Sequence, residues 1–220
     1  MDATTLTDRM YLRLREDIVH GHILAGTKLK IAELKARYGV GATPLREALY
    51  RLSADGFVEA QGQRGFTVAS MSVEELADIT DMRVALEGMA LTQSVNNGDD
   101  EWESRVVAAF HHLAKIEDTD DPDLQEWESR NRQFHLALLS CCKSRLLMRF
   151  YSTLYDQHKR YRNLARVERG RKARNIHQEH STIYNAALAR DIDALRDANE
   201  RHIRNTADVT EKILNEKAAS

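Results

Sequence analysis

The chain is poor in nearly everything that builds a β-rich, secreted or membrane protein. Only two of its 220 residues are proline, Pro44 and Pro122. Long stretches therefore run without the residue that breaks helices. Its two cysteines, Cys141 and Cys142, are adjacent and have no third partner, so a structural disulfide is excluded in practice. No apolar run approaches the twenty or so residues that span a bilayer, and no segment of signal-peptide form opens the sequence. These absences lead to the expectation of a protein of a reducing cytoplasm that makes no use of the membrane. Cys141 and Cys142 are expected as small buried residues on a helix, not as nucleophiles.

A large excess of charge of one sign is also missing. The net charge is −2, which alone argues against a nucleic-acid binder. The average hides a split. Residues 1–70 carry ten Lys/Arg and eight Asp/Glu, whereas the remainder carries twenty-two and twenty-six. Between Arg9 and Phe66 the balance is ten to six. A positive head on an acidic body suits local phosphate binding with little adhesion elsewhere.

The positive region contains the most informative stretch, IAELKARYGVGATPLREALYRLSADGFV, residues 31–58. Leu34 and Tyr38 share one face of a short helix. Gly39-Val40-Gly41 supplies a turn. Thr43 is the expected N-cap of a second helix, with Pro44 at its first position, where a missing N–H costs little. Leu45, Ala48, Leu49 and Leu52 then recur at i, i+3, i+4 and i+7, the buried stripe of an amphipathic helix. Arg46, Tyr50 and Arg51 face away. This pattern predicts a helix-turn-helix whose second helix presents Arg46 to a phosphate or base edge. Phe57–Ala60 and Phe66–Val68 alternate around Gly62-Gln63-Arg64-Gly65, which predicts a two-stranded wing tipped by Arg64.

After residue 70 strand-like alternation stops. Ser72-Val73-Glu74-Glu75 has the form of a capping box and starts a helix running towards Val95. Further helices are predicted over 101–116, from Asp121-Pro122 to Cys142, over 146–167, 171–189 and 192–214. The expected fold is mainly α: an N-terminal winged helix-turn-helix (α+β) over 1–70, followed by an all-α antiparallel six-helix bundle over 71–220. Within the bundle, Asn131 and His135 lie one turn apart beside Phe134, Leu138 and Leu139. His180 stands ten residues before the break at Arg190-Asp191 and His202 eleven after it. Antiparallel helices would place these two imidazoles level. Three inward imidazoles and an amide oxygen suit a divalent transition metal with open positions. On the residues alone, ordinary hydrogen-bonded histidines are the plainer reading. One alternative is a dimeric DNA-binding protein whose helical domain only dimerises and takes no effector; a metal-dependent hydrolase is a weaker one, because no inward Glu or Asp close to the histidines is evident as a general base.

TPLREALYRLSADGFV with its Gly-Gln-Arg-Gly wing resembles the winged-helix domain of the GntR family of bacterial transcription regulators. The helical part resembles the ligand-binding FCD domain of the FadR subgroup, through Asp81-Met82-Arg83…Glu87, Asn131-Arg132-Gln133-Phe134-His135, Glu179-His180 and His202. The resemblance spans roughly residues 8–215. It implies a non-enzymatic, homodimeric regulator of a bacterial cytoplasm that binds a palindromic double-stranded DNA operator. It also implies release by a small carboxylate effector held beside a metal, with zinc first in order and nickel or manganese as alternatives. By resemblance the metal positions are Asn131, His135, His180 and His202, and Arg83 faces the effector carboxylate. Thr43 and Arg46 match residues that contact DNA. Aspartate is more usual where this chain has Asn131. Ala32 and Ala42 stand where many relatives have guanine-reading arginines, so Lys30, Gly41, Ala42, Thr43, Arg46, Gln63, Arg64 and Gly65 are the expected interface. Gly39-Val40-Gly41, Val68–Ser72 and Asp99–Glu103 are similar to the carbon-starvation-induced regulator branch, which implies a short dicarboxylate such as glutarate.

Overall fold

In the computed structural model the described residues are 5–62, 65–119, 123–169 and 175–218, with side chains described for all but 165–169 and 217–218. Contacts divide the chain into two compact units. One comprises residues 1–79, 155–168 and 210–220; the other comprises 80–154 and 169–209.

The first unit opens with α1 (Leu6–Val19), started by a capping box in which Thr5 and Asp8 satisfy each other's backbone N–H. Strand β1 (Lys28–Leu29), α2 (Ile31–Tyr38) and α3 (Ala42–Ala54) follow, then the hairpin β2 (Val58–Ala60) and β3 (Phe66–Val68). The expected stripe holds: Leu45, Ala48, Leu49 and Leu52 are fully buried, against Leu14, Ile18 and Phe57. Each of these leucine side chains contributes roughly 1.5–3 kcal/mol on burial. Gly39 caps α2 in the left-handed conformation, φ 67°, a geometry that carries a steric penalty for any residue with a Cβ.

Two local expectations are corrected. Helix α3 begins one turn-half earlier than predicted, at Ala42, with Gly41 as N-cap and no side-chain cap. Thr43 and Pro44 are therefore inside the first turn. Pro44 is tolerated there because the first-turn N–H groups have no intrahelical acceptor. The wing also gains a third strand: the sheet order is β1-β3-β2, antiparallel throughout, with Lys28 opposite Thr67 and Leu29 opposite Phe66. Two residues are too short to show an alternation in sequence.

The remaining helices are α4 (Val73–Asn97), α5 (Asp100–Glu117), α6 (Leu124–Leu138), α7 (Arg145–Arg169), α8 (Ile176–Leu188) and α9 (Ile192–Ala218). The Ser72 hydroxyl accepts from the Glu75 N–H at 3.0 Å, as its capping role requires. Asp123 caps α6; the predicted start at Asp121-Pro122 lies outside the described residues. Helix α6 ends at Leu138 and does not reach Cys142. Cys141 sits in the following turn, half-buried, with its N–H donating to Ser94 Oγ at 3.0 Å. Arg190 breaks α8 from α9 with φ 54°, an uncommon conformation for a residue with a side chain. Its guanidinium donates to the Val95 and Gly98 carbonyls, both at 3.0 Å.

The part of α7 within the first unit holds it largely by main-chain atoms. Gln157 donates to the Asp55 carbonyl at 2.7 Å and Asn163 to the Val19 carbonyl at 2.8 Å. Arg160 donates to the Ala69 carbonyl. The Tyr161 hydroxyl accepts from the Ser72 N–H and donates to Glu75.

Candidate functional site

In the second unit, α6, α8 and α9 each turn a histidine inward. His135, His180 and His202 are 3%, 0% and 8% exposed. Their ring centroids are 5.6 Å (His135–His180), 5.3 Å (His135–His202) and 4.7 Å (His180–His202) apart. One ring nitrogen from each lies within 4.8 Å of the others, a spacing that lets one divalent ion reach all three. Trp127 and Phe134 form an apolar wall, Phe134 standing edge-on to His180 at 5.6 Å. Asn131 is buried on α6 one turn before His135.

Carboxylates stand behind the imidazoles. His180 Nδ1 lies 2.9 Å from Glu117 Oε1, and His202 Nδ1 lies 2.8 Å from Glu179 Oε2. An ionised carboxylate can only accept, so each Nδ1–H donates to its carboxylate and Nε2 is the ring nitrogen that would ligate a metal. His180 Nε2 is buried and has no hydrogen-bond partner among the described residues. A buried acceptor left in this state is costly unless something else meets it. The donor set thus fits a borderline metal ion: three imidazoles, two of which, His180 and His202, have their Nδ1 held by a carboxylate.

Glu117 corrects the expectation that no acidic side chain stands inward near the histidines. Its side chain is 2% exposed and accepts from His180, His177 and the Trp127 indole. Burial works to raise its carboxyl, but these hydrogen bonds and the adjacent imidazole charge outweigh it, and the group sits below its usual range. Sequence reading missed Glu117 because it opens an acidic run that resembles a solvated helix end. One signal was available: it continues the Trp102–Val106–Leu113 buried stripe of α5 by a further four residues.

Arg83 is 3% exposed and does not stand open. Its Nε donates to Glu87 Oε1 at 2.7 Å, and Glu87 Oε2 accepts from Asn199 at 3.3 Å. Asn199 lies on α9 three residues before His202, on the same side of that helix.

In the first unit Arg46 and Thr43 are exposed on α3, beside exposed Gly41 and half-buried Ala42. Lys30 is the N-cap of α2, with its ammonium 2.7 Å from Glu33. Gly65 is half-buried at the start of β3, φ 95°. Gln63 and Arg64 lie outside the described residues. No helix among the described residues is long and apolar enough to cross a membrane.

The architecture is that of a winged helix-turn-helix joined to a helical bundle. The family model for bacterial regulatory proteins of the gntR family matches residues 6–68, and that of the FCD domain matches residues 78–205. The chain belongs to the gntR family of bacterial regulatory proteins and carries its FCD domain. It is 42% identical over 216 residues to the uncharacterized HTH-type transcriptional regulator BphR of Paraburkholderia xenovorans LB400, covering 96% of this chain and 88% of that one. It is 36% identical over 198 residues to the HTH-type transcriptional repressor GlaR of Escherichia coli K12, covering 88% and 90%. The solved structure of E. coli McbR/YncC shares the fold with a TM-score of 0.82 at 20% identity, covering 96% and 99%.

Proposed function

We propose that this regulator is a homodimeric repressor whose operator binding is released by a small carboxylate, glutarate or a related dicarboxylate, held in the helical bundle beside a metal. The observation that carries the reading is the group of three buried imidazoles with His180 Nε2 lacking a hydrogen-bond partner among the described residues. A helical domain that only dimerised would have no reason to bury such a group. The 36% identity to a protein named as a repressor supports the direction of control. The choice of dicarboxylate rests on the sequence resemblance alone.

Asn131, His135, His180 and His202 would hold the metal, zinc first, which supplies a Lewis-acidic anchor for a carboxylate oxygen. Asn131 brings a neutral amide oxygen where a carboxylate would bind a cation more firmly, so this chain leans harder on its imidazoles. Glu117 and Glu179 fix the rings of His180 and His202. Arg83 pairs with the second carboxylate of a diacid, in competition with Glu87. The residues involved come from α4, α6, α8 and α9, so an occupant biases the arrangement of four helices at once. Only residues 69–72 separate β3 from α4. In the dimer two recognition helices meet two half-sites, and a shift in the bundle alters their register. An effector acts only through its different affinity for the two arrangements.

The test is binding to DNA from upstream of the protein's own coding sequence, titrated with and without glutarate in the presence of zinc. Tight binding that glutarate releases supports the whole reading. Tight binding indifferent to glutarate discards the effector. His180→Ala is expected to retain DNA binding and lose the response; a normal response in that variant rejects the site.

A further inference from the structure

A notch of about 300 Å³ opens on the first unit between β1, the start of α2, the exposed side of α3 and the wing glycines. Lys28, Lys30, Arg46 and Tyr50 supply its polar lining, and Gly62 and Gly65 its far edge. Lys28 belongs to β1, an edge strand of the sheet, and is exposed. Tyr50 follows Arg46 by one turn on α3 and is 60% exposed, unusual for so large a ring. Phe66 stands edge-on to its ring at 5.0 Å, and both residues line the notch.

The charge pattern is uneven. Arg37, Arg51 and Lys30 each have a carboxylate partner, Asp17, Asp8 and Glu33. Lys28, Arg46 and the Tyr50 hydroxyl have no hydrogen-bond or ion-pair partner among the described residues. Two cations and a neutral donor thus converge on one small concavity without an acceptor to answer them, next to the glycines of a wing, where backbone can approach closely.

We propose that this notch seats a single backbone phosphate of the bound DNA, with Lys28 and Tyr50 as contact residues in addition to Arg46. A compact ammonium, a guanidinium and a phenol are the donors that phosphate oxygens take, and none of them here is paired to read a base edge bidentately. The proposal rests on the DNA-binding reading and deepens it.

The experiment measures affinity of the full chain by fluorescence anisotropy over a salt series. One probe is a duplex from upstream of its own coding sequence, and the second is a scrambled duplex of equal length. Lys28→Ala is expected to lower the slope of log affinity against log salt by about 0.9, equivalent to an eightfold contribution at 0.1 M relative to 1 M salt. The loss is to be the same on both duplexes, because a phosphate carries no sequence. Tyr50→Phe keeps the ring on Phe66 and is expected to weaken both duplexes severalfold with no change in slope. A Lys28→Ala slope equal to wild type, or a loss confined to the upstream duplex, overturns the phosphate assignment. Unchanged affinity in Tyr50→Phe removes the hydroxyl from it. Wild-type protein that binds neither duplex at low salt rejects the DNA-binding reading itself, which keeps the two failures apart. Both residues are exposed, so thermal melts of the variants are expected to match wild type.

Discussion

The winged-helix segment and the bundle spend their interiors in opposite ways. Every buried side chain described between residues 5 and 69 is aliphatic or aromatic, from Met10 and Leu14 to Val68 and Ala69. The bundle buries Arg83, Glu87, Glu128, Asn131, His135, His180, Asn199 and His202. Polar groups are expensive to bury and need partners. A domain that works at its surface can leave its core dry and put its cations outside, on Lys28, Lys30 and Arg46. A domain that works from within must carry its chemistry in the core and accept the cost. The described polar side chains of the winged-helix segment thus lie at its surface, whereas the bundle carries a buried polar cluster.

Truncating the dry core gives the largest expected effect. Leu49→Ala, at a site with no exposure, is expected to destabilise the winged helix by about 2–5 kcal/mol in a urea melt. Loss of DNA binding with zinc binding retained would sharpen the contrast between the two regions; loss of both together would break it. Arg46→Ala is expected to weaken operator binding by about 1–3 kcal/mol with an unchanged melt. Unaltered affinity would mean that α3 does not face the DNA.

The wet core makes the complementary claims. Zinc is expected to raise the melting temperature of the wild type through ligand linkage and to leave His180→Ala unmoved. Glu117→Gln is expected to bind zinc about 10–100-fold more weakly in competition with a chelating dye, because an amide no longer fixes the His180 tautomer. Equal affinity would reduce Glu117 to a packing role.

The smallest effect is on acid stability. Burial works to raise the Asp17 carboxyl, but hydrogen bonds from Tyr38 and His22 and the charge of Arg37 outweigh it, so its folded pKa lies below the ordinary value. Its contribution is complete above that ordinary value and is lost as pH falls through the folded one. Asp17→Asn is therefore expected to melt lower than wild type at neutral pH, with the gap closing as the pH falls below the ordinary carboxylate range. A gap that persists at low pH would assign Asp17 a purely steric role.

Legibility in the sequence followed the same divide. The helix-turn-helix was visible because its signals are local: Gly39, the Leu45–Leu52 stripe and a hairpin with glycines at its turn. The six bundle helices were visible through helical period, and the level placement of His180 and His202 through their distances from Arg190. What escaped depended on long-range partners. Strand β1 exists because Lys28 and Leu29 meet Thr67 and Phe66 some forty residues on. Glu117 reaches His180 only when α5 meets α8, sixty-three residues away. The N-cap at Gly41 escaped for a different reason. Thr43 has the better capping side chain, but the tight turn after Gly39 lets the helix start before reaching it.

The grip of α7 on the winged helix has an evolutionary consequence. Gln157, Asn163 and Arg160 take hold of the carbonyls of Asp55, Val19 and Ala69, atoms that every amino acid possesses. Substitutions at the gripped positions leave those handles in place. The recognition surface can therefore change by substitution without loss of these three hydrogen bonds.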